Sequence, residues 1–149
     1  MPLTGAGGLP FVGCRLWRNA NEATANNTWE YLDWTTEVFD AGGMVDLVAN
    51  PSRITIPVTG LYELGFYLEW EINPVGKRAG QVNLNGVTTV VRHVLDAQTT
   101  VETPNLHCTL EEFVAGDFIE LRVIQDSGGA LNVLTGNFYK PVFWCYRVA

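Results

Sequence analysis

From residue 53 onward the chain alternates apolar and polar positions with a period of two, the spacing of a β-strand with one buried face. Ile54 and Ile56 alternate with polar neighbours, and Pro57 with Gly60 closes that strand into a turn. The pattern is clearest over residues 61–70. There Tyr62, Leu64, Phe66, Leu68 and Trp70 share one face, and Glu63, Gly65, Tyr67 and Glu69 share the other.

The same grammar runs to the end of the chain. Asn73-Pro74-Val75-Gly76 reads as a turn, 81–84 as a strand, Asn85-Gly86 as a tight hairpin and 87–94 as the returning strand. A polar loop over 96–104 leads to a segment where Leu106, Cys108 and Leu110 alternate with His107, Thr109 and Glu111. Ile119, Leu121 and Val123 share a face after the turn at Gly116-Asp117, and 140–148 is a final apolar strand. Upstream, 11–17 and 34–39 read as strands, 19–28 as a polar loop, and 40–52 carries the turn signals Gly42-Gly43 and Asn50-Pro51. Gly5, Gly7, Gly8 and Pro10 make 1–10 a flexible arm ahead of one domain over 11–149. Many short strands, turns between them and no amphipathic helix predict an all-β fold: a two-sheet antiparallel sandwich or barrel, with the jelly roll its commonest double-sheet form.

Composition changes this picture little. A chain of 149 residues, nearly half apolar, builds its own core without metal or disulfide. A net charge of −7 and scattered Lys and Arg speak against nucleic-acid partners, and no apolar run is long enough to insert in a membrane as a helix. The adjacent Lys77-Arg78 reads as a solvated loop tip. Cys14, Cys108 and Cys145 lie among apolar residues and read as small buried hydrophobes, with a Cys14–Cys145 contact if the end strands pair. Free thiols favour folding in a reducing cytoplasm. Residues 1–10 have neither the basic start nor the apolar stretch of a secretory signal, so the chain is expected to be used without export or after loss of its signal.

No catalytic constellation emerges. His93 and His107 are the whole imidazole supply, and neither stands in a hydrolase or cysteine-protease motif. His107, opposite Leu106 and Cys108, is expected at an exposed or interface position. Asp40 and Asp46 flank a glycine turn; they read as turn caps more readily than as calcium ligands. Glu69 and Glu71 invite a glycosidase comparison, but alternating Glu on the outer face of a half-buried strand keeps it soluble. The expectation is no enzyme, no cofactor and no metal. The aromatic supply points elsewhere: Trp17, Trp29, Tyr31, Trp34, Tyr67, Tyr139 and Trp144 exceed what a small core needs, and surplus aromatics mark interfaces.

At Val38-Phe39-Asp40, Gly42-Gly43 and Ile54-Thr55-Ile56-Pro57-Val58-Thr59-Gly60-Leu61-Tyr62 the chain resembles the trimeric jelly rolls of tumour necrosis factor and the globular head of the first complement component. Gly116-Asp117-Phe118-Ile119-Glu120-Leu121 matches a second piece of that pattern, and the resemblance extends over 38–148. It is most like versions encoded in bacteriophage and bacterial genomes, where such domains are virion surface proteins. The resemblance implies a homotrimer with Gly65, Tyr67 and Glu63, together with Trp144 and Tyr146, at the subunit interface. It also implies a non-enzymatic decoration or head-fibre module on a phage capsid, made in the host cytoplasm and bound to the major capsid or another virion protein. Met1, Leu3 and Leu9 of the arm are the candidate particle anchor. The alternative is a receptor- or glycan-binding tip of a tail or fibre, exposing the loops at 73–77, 96–104 or 126–132.

Overall fold

A computed structural model of the chain describes residues 10–149, so Met1, Leu3 and Leu9 lie outside the described residues. Twelve strands and no helix make up the described chain: β1 (Gly13–Trp17), β2 (Glu22–Thr24), β3 (Glu30–Tyr31), β4 (Thr36–Ala41), β5 (Arg53–Thr55), β6 (Gly60–Trp70), β7 (Lys77–Leu84), β8 (Thr88–Asp96), β9 (Thr103–Phe113), β10 (Phe118–Gln125), β11 (Leu131–Val133) and β12 (Val142–Arg147). They form two antiparallel sheets. The larger runs β2-β11-β6-β12-β1-β4 with β9 also paired to β6; the smaller runs β3-β10-β7-β8 with β5 also paired to β10. Consecutive strands β6 and β7 therefore belong to different sheets, and the first and last long strands, β1 and β12, lie side by side.

The core fills the space between the sheets. Tyr62, Leu64, Phe66, Leu68 and Trp70 are fully buried from β6, opposite Val82 of β7 and Ile119, Leu121 and Val123 of β10. Burial of each such side chain stabilises the fold by about 1.5–3 kcal/mol relative to exposure. The hairpin at Asn85-Gly86 has positive φ at both residues (52° and 73°), the geometry that sets two antiparallel strands into register.

Several sequence expectations need correction. The loop over 19–28 contains β2, a short strand satisfied by β11. The pair Lys77-Arg78 is no solvated tip: Lys77 is exposed, but Arg78 is fully buried in β7, where its guanidinium donates to the carbonyls of Asn73, Val75 and Lys77 at 2.9–3.0 Å. Burial lowers its pKa. Trp34 belongs to the core, its ring stacked on Phe143 at 5.6 Å.

The β9 segment is reversed. Leu106, Cys108 and Leu110 face out, while His107 points toward the seam between the sheets and stacks on His93 of β8 at 5.5 Å. Inside, the places these apolar residues would take are held by Thr103 and Asn105, both buried, and by Phe113. A strand register fixes one phase for the whole strand, and the large Phe113 wins the core.

Candidate assembly face

The outward side of the larger sheet is built in rows, because antiparallel register sets one residue of each strand opposite the next. The central row is Phe39, Arg15, Trp144, Gly65 and Cys108, from β4, β1, β12, β6 and β9. The row above it is Ala41, Gly13, Tyr146, Glu63 and Leu110. The row below is Thr36, Trp17, Val142, Tyr67 and Leu106. All five interface candidates named from the sequence, Glu63, Gly65, Tyr67, Trp144 and Tyr146, thus stand together on one face.

The face is chemically lopsided. Its β4–β1–β12 side is aromatic around one cation: Phe11, Phe39 and Tyr146 are neighbours with centroids 6.0–6.4 Å apart, and Arg15, Phe39, Trp144 and Tyr146 line a depression of about 270 Å³. A second depression of about 260 Å³, on the other side of Trp144, is lined by residues including Arg15, Tyr67, Phe138 and Tyr139. Phe138 is 99% exposed. The β9 side is aliphatic, with Leu106 and Leu110 more than half exposed and the thiol of Cys108 open between them. The sequence expectation of a buried Cys108 is therefore overturned, whereas Cys14 and Cys145 are buried, free and directly opposite each other.

The acids of the face are tied to its tyrosines. Tyr146 Oη donates to Glu63 Oε1 at 2.6 Å, which with burial pushes the phenol up to about 12. Tyr67 Oη donates to Glu69, and burial followed by that bond raises its pKa as well. Glu69 is buried, not a solvating outer-face acid, and Glu71 accepts from the backbone N–H and side-chain amide of Asn132 at 3.1 and 2.9 Å. Both carboxylates are thus engaged, Glu69 with Tyr67 on its own strand and Glu71 with Asn132 of β11. Arg15 differs. Among the described residues it has no carboxylate within 4.0 Å, the ion pairs being Arg18–Glu22 and Arg53–Glu120.

Asp40 accepts from the backbone N–H groups of Met44 and Val45 at 2.9 and 3.0 Å, and Asp46 from those of Val48 and Ala49 at 3.0 and 2.9 Å. Both cap turns. No group of three or more His, Cys, Asp or Glu side chains fit to hold a metal occurs among the described residues.

No family model matches the sequence, and comparison with curated proteins gives no match. Solved structures do match. The Eiger TNF of S. frugiperda superposes with a TM-score of 0.69 at 13% identity, covering 94% of each chain. The globular domain of the zebrafish complement 1qA protein gives 0.65 at 13% identity over 93% of this chain and 98% of that one. Murine APRIL gives 0.68 at 14% identity over 92% and 98%. At such identities the likeness establishes the fold: the chain is a two-sheet jelly roll of the kind found in tumour necrosis factor and complement heads.

Proposed function

We propose that this chain is a non-enzymatic assembly module that closes a homotrimer through the outward face of its larger sheet. The observation that carries the reading is the lopsided face itself. Trp144, Tyr146 and Phe39 around the unpaired Arg15 form one patch, and Leu106, Cys108 and Leu110 at the β9 edge, with the exposed Glu112 beyond, form another. Two different patches on one face associate head to tail, and such a contact closes into a ring when the rotation permits. Exposed leucines beside aromatic-lined depressions are the composition of a protein interface. The similarity in fold to tumour necrosis factor and complement heads adds support.

The setting proposed for the trimer is the outer surface of a phage particle, as a head decoration or head-fibre module bound to a capsid protein. It rests on the sequence pattern at 38–62 and on the Gly- and Pro-rich arm at 1–10. Light scattering should return a trimer for the intact chain and a smaller species for Leu106→Asp and Leu110→Asp, which place charges on the aliphatic patch. A monomer at micromolar concentration for the unaltered chain rejects the assembly reading. Failure of a well-formed trimer to bind purified particles rejects the setting alone.

A further inference from the structure

On the far side of the molecule the outward face of the smaller sheet carries a different site, which does not depend on the assembly reading. Tyr31, Arg122, Gln81 and Arg92 stand in one row across β3, β10, β7 and β8. The row is locked from within. The amide oxygen of Gln81, turned toward Arg122, accepts from its Nε at 3.1 Å and Nη2 at 2.7 Å, and Gln81 is almost wholly buried. Both guanidinium groups lie against the ring of Trp29, Arg122 at 4.6 Å and Arg92 at 5.2 Å. The exposed Arg92 is thus held by its aromatic contact, with no carboxylate within 4.0 Å and no hydrogen-bond partner for its guanidinium among the described residues.

Next to Arg92 the sheet dips. Ile124, Ala79 and Val94 are in register across β10, β7 and β8, and the small Ala79 at the centre leaves a depression of about 180 Å³. Its floor is apolar. Its rim bears Arg92 at one end and Lys77, Asp126 and Asn27 elsewhere. Asn27 has its backbone fixed in the left-handed region (φ 54°), its N–H donating to the carbonyl of Gln125 at 2.6 Å, and lies on the rim. Asp126 accepts from the backbone N–H of Lys77 through Oδ1, leaving Oδ2 as an acceptor. The remaining acid nearby, Asp96, is opposite Lys77 in register but beyond ion-pair distance, so the Lys77 end carries cation and carboxylates together while the Arg92 end is purely cationic.

We infer that this depression binds a sugar acid, with the carboxylate of one hexuronic unit on Arg92 and its hydroxyls on Asn27, Asp126 and Lys77. Arg presents a planar fork of donors matched to a carboxylate. The mixed donors and acceptors at the other end suit hydroxyl groups, and the apolar floor suits the carbon face of a ring. The space is below the about 300 Å³ at which drug-sized pockets begin, which fits one ring and not a chain of them.

Galacturonate, galactose and inorganic sulfate should be titrated in turn into the full-length protein, followed by intrinsic tryptophan fluorescence and by amide shifts of β7 and β8. Galacturonate is expected to bind with millimolar affinity and galactose at least about tenfold more weakly. Arg92→Ala should abolish the preference for the acid while the protein stays folded, since the side chain is exposed and outside the core. Lys77→Ala should weaken both sugars. Equal binding of galactose and galacturonate, or undiminished galacturonate binding by Arg92→Ala, overturns the site. Sulfate binding as tightly as galacturonate overturns its assignment to a sugar. No response to any of the three overturns it outright.

Discussion

The indole of Trp144 occupies the space that a side chain at Gly65 would need. A Cβ built on Gly65 would meet Trp144 Cζ2, and would also lie 2.7 Å from the carbonyl oxygen of His107 and 2.8 Å from Cys108 Cβ. Glycine on this central strand lets the aromatic half of the face close over β6 toward β9. Gly65→Ala is therefore expected to cost about 1–3 kcal/mol by overpacking. Because Trp144 is one of three obstructions, Gly65→Ala with Trp144→Ala should lose less than the sum of the two single changes. Strict additivity in denaturant titrations would mean that the two residues do not compete for that space.

Gly60 makes a similar demand for a different reason. Its φ is not positive, so the turn does not require glycine for its backbone conformation. What requires it is close approach: a Cβ there would meet the carbonyl of Ala149 and stand 2.5 Å from Arg147 Nε. Gly60→Val should destabilise by about 1–3 kcal/mol, while Lys77→Ala, on an exposed side chain, should stay within about 0.5 kcal/mol. Equal melting temperatures for the two variants would remove the packing argument.

The fold was legible where one face of a strand is buried. The period-two row of β6, the Asn85-Gly86 hairpin and the Ile119, Leu121, Val123 face needed nothing beyond local pattern. What local pattern cannot give is which of two faces wins when both carry apolar groups. On β9, Leu106, Cys108 and Leu110 look like a core row, and only the packing of Phe113 against Tyr62, with centroids 5.9 Å apart, settles the phase. Arg78 was missed because its partners are backbone carbonyls of its own turn, which leave no mark in residue types. Of the proposed sugar-acid site, Lys77 and Asp126 fall in loops that the sequence offers as exposed, whereas Arg92, Arg122 and Trp29 are far apart in sequence and meet only through strand pairing.

The three thiols should separate by reactivity. Burial raises the pKa of both Cys14 and Cys145, holding them as protonated thiols, and the thiolate is the reacting form. Cys108 is exposed on the isolated chain. Native Leu106→Asp protein should take up one equivalent of maleimide, at Cys108, and three only on unfolding. In the assembled protein, labelling of Cys108 should slow as well, because the β9 edge is covered. Modification of Cys14 as fast as Cys108 in native protein would place β1 outside the sheet.

Alkaline pH should weaken the fold through the face tyrosines Tyr146 and Tyr67 and the core Tyr62. Tyr146 is held up to about 12 by its bond to Glu63 and by burial, Tyr67 is raised by burial and Glu69, and Tyr62 by burial. An unfolded tyrosine loses its proton near about pH 10. Between about pH 10 and pH 12 the unfolded chain therefore binds fewer protons than the folded one, and unfolding becomes easier as pH rises. Below that window the stabilisation is fully present. The melting temperature should be flat with respect to these groups up to about pH 9.5 and then fall steadily, the slope being set by how many phenols stay protonated in the fold. Tyr146→Phe keeps the ring on the face but removes both the titrating group and its bond to Glu63. Its melting temperature should be lower at neutral pH and should fall less steeply above about pH 10, the two curves converging as the native phenol begins to ionise. Parallel curves across that range would show that the Tyr146–Glu63 bond does not couple proton binding to folding.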